Sequence, residues 1–104
     1  MHPSPSVTMA DCVLKREDLV HIDAFLDLLH CLNDPFASGH KITALVGKIP
    51  VLSARVIRRA RGRSKRRQLD TVEQALTLIG NGGLESELIL LLEELTILKA
   101  ELED

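Results

Sequence analysis

The chain has 104 residues, of which 45% are hydrophobic and 27% charged, so we expect one small globular domain rather than a disordered protein. Only two residues are aromatic, which argues against the base-stacking surfaces of single-stranded nucleic-acid binders and against an aromatic ligand pocket. The formal net charge of −2 hides two opposite segments: residues 55–67 carry eight basic side chains and no acidic one, and residues 68–104 carry nine acidic side chains against one lysine.

Nothing in the sequence predicts export or insertion into a membrane. The first residues lack the basic start and apolar stretch of a signal peptide, and no run of about 18 apolar residues occurs. The two cysteines, Cys12 and Cys31, are too few for a disulfide framework. We therefore expect a cytoplasmic protein with reduced cysteines and no contact with a membrane.

In chain order, residues 1–13 are predicted to be a flexible N-terminal tail, and residues 14–104 a single helical domain. The first helix is predicted from apolar residues at helical spacing, and it should end before Pro35. Ser38 is a predicted N-cap of a short second helix, and Pro50 should start a third helix that runs into the basic segment. The apolar stripe of the first helix consists of Leu19, Ile22, Leu26, Leu29 and Leu32.

The acidic half of the chain predicts two further helices. Asp70 or Thr71 should cap the first of them, Gly80 should end it, and residues 81–83 should form a turn. The second should run from Leu84 to about Glu103. Because no segment alternates convincingly with period two, we predict an all-α fold: a compact bundle of about five helices, the last one long and leucine-rich.

Three stretches from Asp34 onward resemble the N-terminal half of the HDOD domain, a non-catalytic relative of the HD phosphohydrolases in bacterial signalling proteins. They are Asp-Pro-Phe-Ala-Ser at residues 34–38, Pro-Val-Leu-Ser-Ala-Arg-Val-Ile-Arg-Arg-Ala at 50–60, and Ala-Leu-Thr-Leu-Ile-Gly at 75–80. The chain departs from the family pattern at Ile49, where Asp is usual, and at Arg61–Gly62, where Asn-Ser is usual. The resemblance implies a regulatory helical module without enzymatic activity.

Residues that could carry out catalysis are not grouped in the sequence. The histidines and cysteines lack the short paired spacings of a zinc site, and neither cysteine lies in an activating motif. The Gly-Asn-Gly-Gly segment at 80–83 lacks the Lys-Ser/Thr of a phosphate-binding loop. We therefore predict no enzyme activity, no metal, no cofactor and no small-molecule substrate.

The basic segment is the predicted binding site for an anionic partner, which would be an acidic protein or a nucleic acid. A third interpretation is charge pairing with the last helix, within one chain or between copies, with Glu85, Glu87, Glu93 and Glu94 in reach. The predicted binding residues are Arg55, Arg58, Arg59, Arg61, Arg63, Lys65, Arg66 and Arg67.

The last helix carries leucines at the 4-3-4-3-4 spacing of a helix that packs along another helix. They are predicted to form the interface of a homodimer, although the same residues could instead cover the core of a single chain. These leucines are Leu84, Leu88, Leu91, Leu95, Leu98 and Leu102.

The sequence thus predicts a non-catalytic, bacterial-type signalling or regulatory module that forms a homodimer and binds an acidic partner through its basic segment. Two alternatives remain open. The basic segment could bind nucleic-acid phosphates, or the chain could be a self-assembling structural subunit.

Overall fold

The structure is a computed structural model that describes residues 7–63 and 71–103. Within these residues there is no strand, and the all-α prediction is confirmed. Two short 3-10 helices, Ala10–Cys12 and Arg16–His21, precede the α-helices. The α-helices are α1 (Ile22–Asn33), α2 (Gly39–Gly47), α3 (Pro50–Arg63) and α4 (Val72–Leu102).

The predicted helix boundaries near proline and serine are confirmed. α1 ends one residue before Asp34, whose carboxylate accepts a hydrogen bond from the Phe36 backbone N–H at 2.9 Å and so closes the turn. Ser38 Oγ accepts the Lys41 N–H at 3.2 Å and caps α2. Pro50 is the first residue of α3, as predicted from its missing N–H.

α4 contains both of the helices that the sequence predicts after Thr71. Thr71 is its N-cap and accepts the Gln74 N–H at 3.1 Å. Gly80 alone leaves the helical conformation, with φ 69° and ψ 178°, and the helix resumes at once. The prediction of a turn over residues 81–83 is therefore wrong. One glycine in the left-handed region is enough to bend the chain between the two arms.

The core lies mainly between α3 and α4, which run antiparallel. Their orientation follows from two ion pairs: Arg55 of α3 meets Glu94, whereas Arg59, one turn later, meets the earlier Glu87. α1 and α2 cover the remaining side of this pair. The most deeply buried large side chains come from all four helices and the α2–α3 junction: Phe25, Leu28, Val46, Ile49, Leu52, Val56, Leu84, Leu88 and Leu91.

The segment before α1 packs against the helices. Cys12, at the end of the first 3-10 helix, is 4% exposed, and its carbonyl oxygen accepts a hydrogen bond from α3. The predicted tail of residues 1–13 thus includes a segment that belongs to the packed domain. Residues 1–6 of that tail lie outside the described residues.

By length and composition alone, α4 could span a membrane. Its 18-residue stretches with no more than two charged side chains begin at Gln74 or Ala75, so each of them contains Gly80. The arm after Gly80 carries Glu85, Glu87 and further acidic residues, and it supplies much of the core. The absence of membrane contact stays a prediction.

A candidate charged interaction surface

Arg55, Arg58 and Arg59 of α3 recur at i, i+3 and i+4 positions and therefore lie on one face of the helix. Arg55 is the most constrained of them: its side chain is 14% exposed. Its two terminal nitrogens donate to both carboxylate oxygens of Glu94 at 2.6 and 2.7 Å, and its Nε–H donates to the Cys12 carbonyl at 2.7 Å. One guanidinium therefore joins α3, α4 and the N-terminal segment.

Arg59 makes the second interhelical ion pair. Its NH1 nitrogen lies 3.1 Å from a carboxylate oxygen of Glu87, whose side chain is 14% exposed. Glu85 and Glu93, which the sequence also offered as partners, are exposed. Among the described residues, Glu87 and Glu94 thus pair with arginines of the basic segment, because both lie on the side of α4 that faces α3.

The ion pair affects the acidity of Arg55. The hydrogen bonds to Glu94 raise the pKa of the guanidinium above its ordinary value, while partial burial acts in the opposite direction. The nearby Glu87 carboxylate also favours the charged form. Arg55 is therefore held as a permanent cation whose charge is matched inside the fold.

The other basic side chains of the segment differ from one another in solvent exposure. Arg58 and Arg63 are exposed, and Arg61 is half-buried and takes part in an interaction within the chain. The predicted binding residues Lys65, Arg66 and Arg67 lie outside the described residues. Of the arginines predicted to bind a partner, the two at the α3–α4 contact have a structural role, and Arg58 and Arg63 face solvent.

A cleft of about 400 Å³ opens beside these arginines. It lies between the N-terminal segment, α3 and α4, and it combines cationic with apolar groups. Two exposed apolar side chains, Met9 and Val13, were not predicted as part of a site, because their proximity to α3 depends on the fold of the N-terminal segment. The lining residues are Met9, Cys12, Val13, Arg55, Arg58, Arg59, Gly62 and Glu87.

The cleft has the chemistry of a weakly cationic recognition site. Three guanidinium groups outnumber the single carboxylate in its lining, and Glu94 neutralises one of them from outside it. Arginine binds carboxylates and phosphates through bidentate hydrogen bonds. An acidic residue flanked by an apolar one would match both the arginines and the adjoining Met9 and Val13.

Most of the leucine stripe that is predicted as a dimer interface is buried within the single chain. Leu84, Leu88 and Leu91 are fully buried within the single chain, and Leu95 is 7% exposed. These four side chains therefore offer little surface to a second copy while the core is intact. Leu98 is half-buried and Leu102 is 43% exposed, so only the end of the stripe is accessible. The alternative in which the leucines cover the core of one chain describes the first four.

Other apolar side chains of α4 are exposed instead. Ile89 is 47% exposed, Leu90 48% and Ile97 60%. They lie outside the core stripe, as expected for a helix that is apolar on more than one side. These three side chains leave apolar surface of α4 uncovered within the single chain.

Within residues 7–63 and 71–103, no three His, Cys, Asp or Glu side chains come together in a way that could hold a metal ion. Both cysteines are buried with free thiols.

Comparison with protein-family models, with curated proteins and with solved structures finds no match. The resemblance to the HDOD domain stays a prediction that depends on the three sequence stretches.

Proposed function

We propose that this chain is a non-catalytic interaction module that recognises an acidic, partly apolar protein surface through the cleft beside α3. The proposal depends on a difference between neighbouring arginines of α3: two are paired with carboxylates of the same chain, and one is exposed to solvent. Arg55 and Arg59 are held by carboxylates of α4, whereas Arg58 lines the same cleft with an exposed side chain. Arg58 can therefore donate to an incoming carboxylate without breaking an interhelical pair.

The ion pairs of Arg55 and Arg59 also preorganise the cleft around Arg58. Arg55 and Arg59 are restrained by hydrogen bonds, so the walls of the cleft lose little conformational freedom on binding. The resemblance to the HDOD domain adds a regulatory role to this proposal. Assembly into a homodimer belongs to it as well, because α4 exposes apolar side chains that a single chain leaves uncovered.

Nucleic-acid binding is the second candidate, supported by the exposure of Arg58 and Arg63. The charges around these residues favour it less. Exposed Glu85 and Glu93 lie on the same arm of α4 as Glu87, beyond the lining of the cleft. Phosphates in a long polymer would meet these carboxylates as well as the arginines, and like charges repel.

The test compares two anionic probes of different chemistry. Fluorescently labelled polyglutamate and a labelled mixed-sequence DNA duplex are titrated with the protein, and anisotropy is recorded at low and moderate salt. We expect polyglutamate to bind, and binding to weaken several-fold in Arg58→Gln. Arg16→Gln is the matched control, because Arg16 is an exposed arginine outside the basic segment.

Two results would contradict the proposal. Equal loss of polyglutamate binding in both variants would mean that total charge, and not the cleft, determines affinity. Tight DNA binding with a steep salt dependence, and no binding of polyglutamate, would instead support the nucleic-acid alternative.

A further inference from the structure

A second stripe with heptad spacing lies on α4 beside the core leucines. Leu90, Glu94, Ile97 and Glu101 are spaced 4-3-4, so they follow one line along the helix. Leu90 and Ile97 lie two turns apart, about 10.5 Å along the axis, and both are exposed. The stripe adjoins the side of α4 that carries Glu87 toward α3, and therefore runs close to the arginine cleft.

The end of α4 has an unfavourable charge arrangement within a single chain. The C-terminus of a helix carries partial negative charge, which favours cations in the last turn. Here the final residues include Glu101 and Glu103, and the nearby Lys99 reaches Glu103 only at 4.0 Å on the surface. Cationic side chains of another molecule would therefore stabilise the C-terminal end of α4.

We propose that the acidic partner of the cleft is a second copy of this chain, paired through antiparallel α4 helices about a two-fold axis. This inference rests on the function proposed above and names the partner. An axis that passes between Glu93 and Glu94 brings Leu90 opposite Ile97 of the partner subunit. By symmetry it also brings Ile97 opposite the partner's Leu90, so the apolar contact is made twice.

The same register matches the charges. It brings Glu101 of each copy level with Ser86 of the other copy, one residue from Glu87 at the mouth of the cleft. The exposed Arg58 lines that cleft and can receive the incoming carboxylate. The acidic helix end of one copy thus meets the basic cleft of the other, and the two-fold axis repeats the contact.

The carboxylates nearest the axis do not oppose this pairing strongly. Glu94 is bound to Arg55 by two hydrogen bonds, so two copies of Glu94 meet as matched ion pairs rather than as bare charges. Glu93 lies on the flank of the stripe away from α3 and keeps its contact with solvent. Four apolar side chains and two arginine–glutamate contacts remain as the attractive part of the interface.

The first test compares two single variants: one changes an apolar residue of the stripe, and the other changes the adjacent apolar residue, which lies outside the stripe. Leu90→Glu should raise the dimer dissociation constant at least tenfold, since the substitution occurs on both sides of the axis and removes buried apolar area twice. Ile89→Glu is the matched control: the two residues are 47% and 48% exposed, but Ile89 lies on the other flank. Sedimentation equilibrium over a range of concentrations measures both, with circular dichroism to verify the fold.

The second test reverses charges in pairs. Arg58→Glu and Glu101→Arg should each weaken the dimer, and the double variant should restore it toward wild type, because the reversed charges again attract. A dimer that responds equally to Leu90→Glu and Ile89→Glu, or a double variant weaker than either single one, would overturn the proposed interface. A chain that stays monomeric at high concentration would overturn it outright.

Failure of this inference differs measurably from failure of the proposed function. The monomeric Leu90→Glu variant leaves the cleft free of a second copy, and labelled polyglutamate is titrated against it. Binding by this variant supports the cleft as a recognition site even if wild type proves monomeric. Absence of binding contradicts the proposed function even if wild type is a dimer. In a dimer of the proposed kind, excess polyglutamate should also compete with the partner's Glu101 and promote dissociation.

Discussion

Replacing Arg55 by alanine tests whether one guanidinium holds three parts of the fold together. The change removes two hydrogen bonds to Glu94 and one to the Cys12 carbonyl. Hydrogen bonds to charged groups contribute ~1.5–3 kcal/mol in favourable settings, but a surface ion pair contributes only ~0–1 kcal/mol. The Glu94 side chain is 43% exposed, so the pair is partly screened.

Combining these values, we expect Arg55→Ala to lower the free energy of unfolding by about 2 kcal/mol. For a domain of this size that corresponds to a fall in melting temperature of roughly 8–16 °C. Urea and thermal unfolding followed by far-UV circular dichroism measure the change. Arg63→Ala is the control on the same helix, and it should stay within about 0.5 kcal/mol of wild type, since Arg63 is exposed and takes no part in the proposed interface.

A double-mutant cycle separates the ion pair from the carbonyl contact. Glu94→Gln alone should cost less than Arg55→Ala, because Arg55 keeps its bond to Cys12 and Glu94 is partly solvated. The combined variant should be less destabilised than the sum of the two single changes. Equal stability of Arg55→Ala and Arg63→Ala would refute the reasoning, because burial and three hydrogen bonds would then have no energetic consequence.

Two further predictions concern the glycines of α4 and the acidity of Asp11. Gly80→Ala should destabilise by about 1 kcal/mol because its φ of 69° is unfavourable for alanine, and Gly83→Ala should also destabilise, since its Cβ would lie 2.8 Å from Ile79. Gly82→Ala should instead stabilise the protein by ~0.5–1 kcal/mol, because its Cβ would meet nothing within 4 Å. Thermal unfolding of the three variants tests this order of stabilities, and equal effects on the melting temperature would contradict it. Hydrogen bonds from the backbone and side chain of Thr8 lower the pKa of Asp11 below 3.8, so its stabilising effect is present above that pH and is lost as pH falls through the lower folded pKa. An NMR titration of the Asp11 carboxyl should therefore give a pKa that rises in Thr8→Ala, and an unchanged value would contradict the assignment.

Local features of the fold could be read from sequence because each depends on a few adjacent residues. Ser38 caps a helix through its own hydroxyl, and Pro50 suits the first turn of a helix wherever the helix lies. Gly80 is predicted to end a helix, and it does interrupt α4. The three-residue turn predicted after it does not occur, because the helix resumes at residue 81. A glycine with positive φ permits either a loop or an immediate continuation of the helix, and here the helix continues.

The site was harder to derive because it depends on which helix faces which. Heptad spacing establishes that Leu84 and Leu88 share one face of a helix, but the same spacing describes a core and a dimer seam. The preference for the core comes from α3, whose apolar face covers them in the same chain. Likewise, opposite charge made Glu87 and Glu94 possible partners of the arginines, while only the antiparallel contact with α3 distinguishes them from Glu85 and Glu93.

The cleft could not be derived at all from local patterns. Met9 and Val13 resemble ordinary residues of an N-terminal segment in the sequence. They adjoin Arg58 because the Cys12 carbonyl is bound by Arg55, a contact between residues 43 positions apart. Long-range contacts of this kind involve one backbone oxygen and leave no periodic pattern to recognise.

We expect the chain to act through protein contacts, with a second copy as its acidic partner. Light scattering on a sizing column, with and without an equimolar mixed-sequence DNA duplex in about 50 mM salt, tests it most directly, since low salt strengthens any binding to phosphates. We expect a particle of twice the 11.5 kDa chain whose mass does not change when DNA is added. A monomer, or a protein–DNA complex that dissociates as salt is raised, would contradict it.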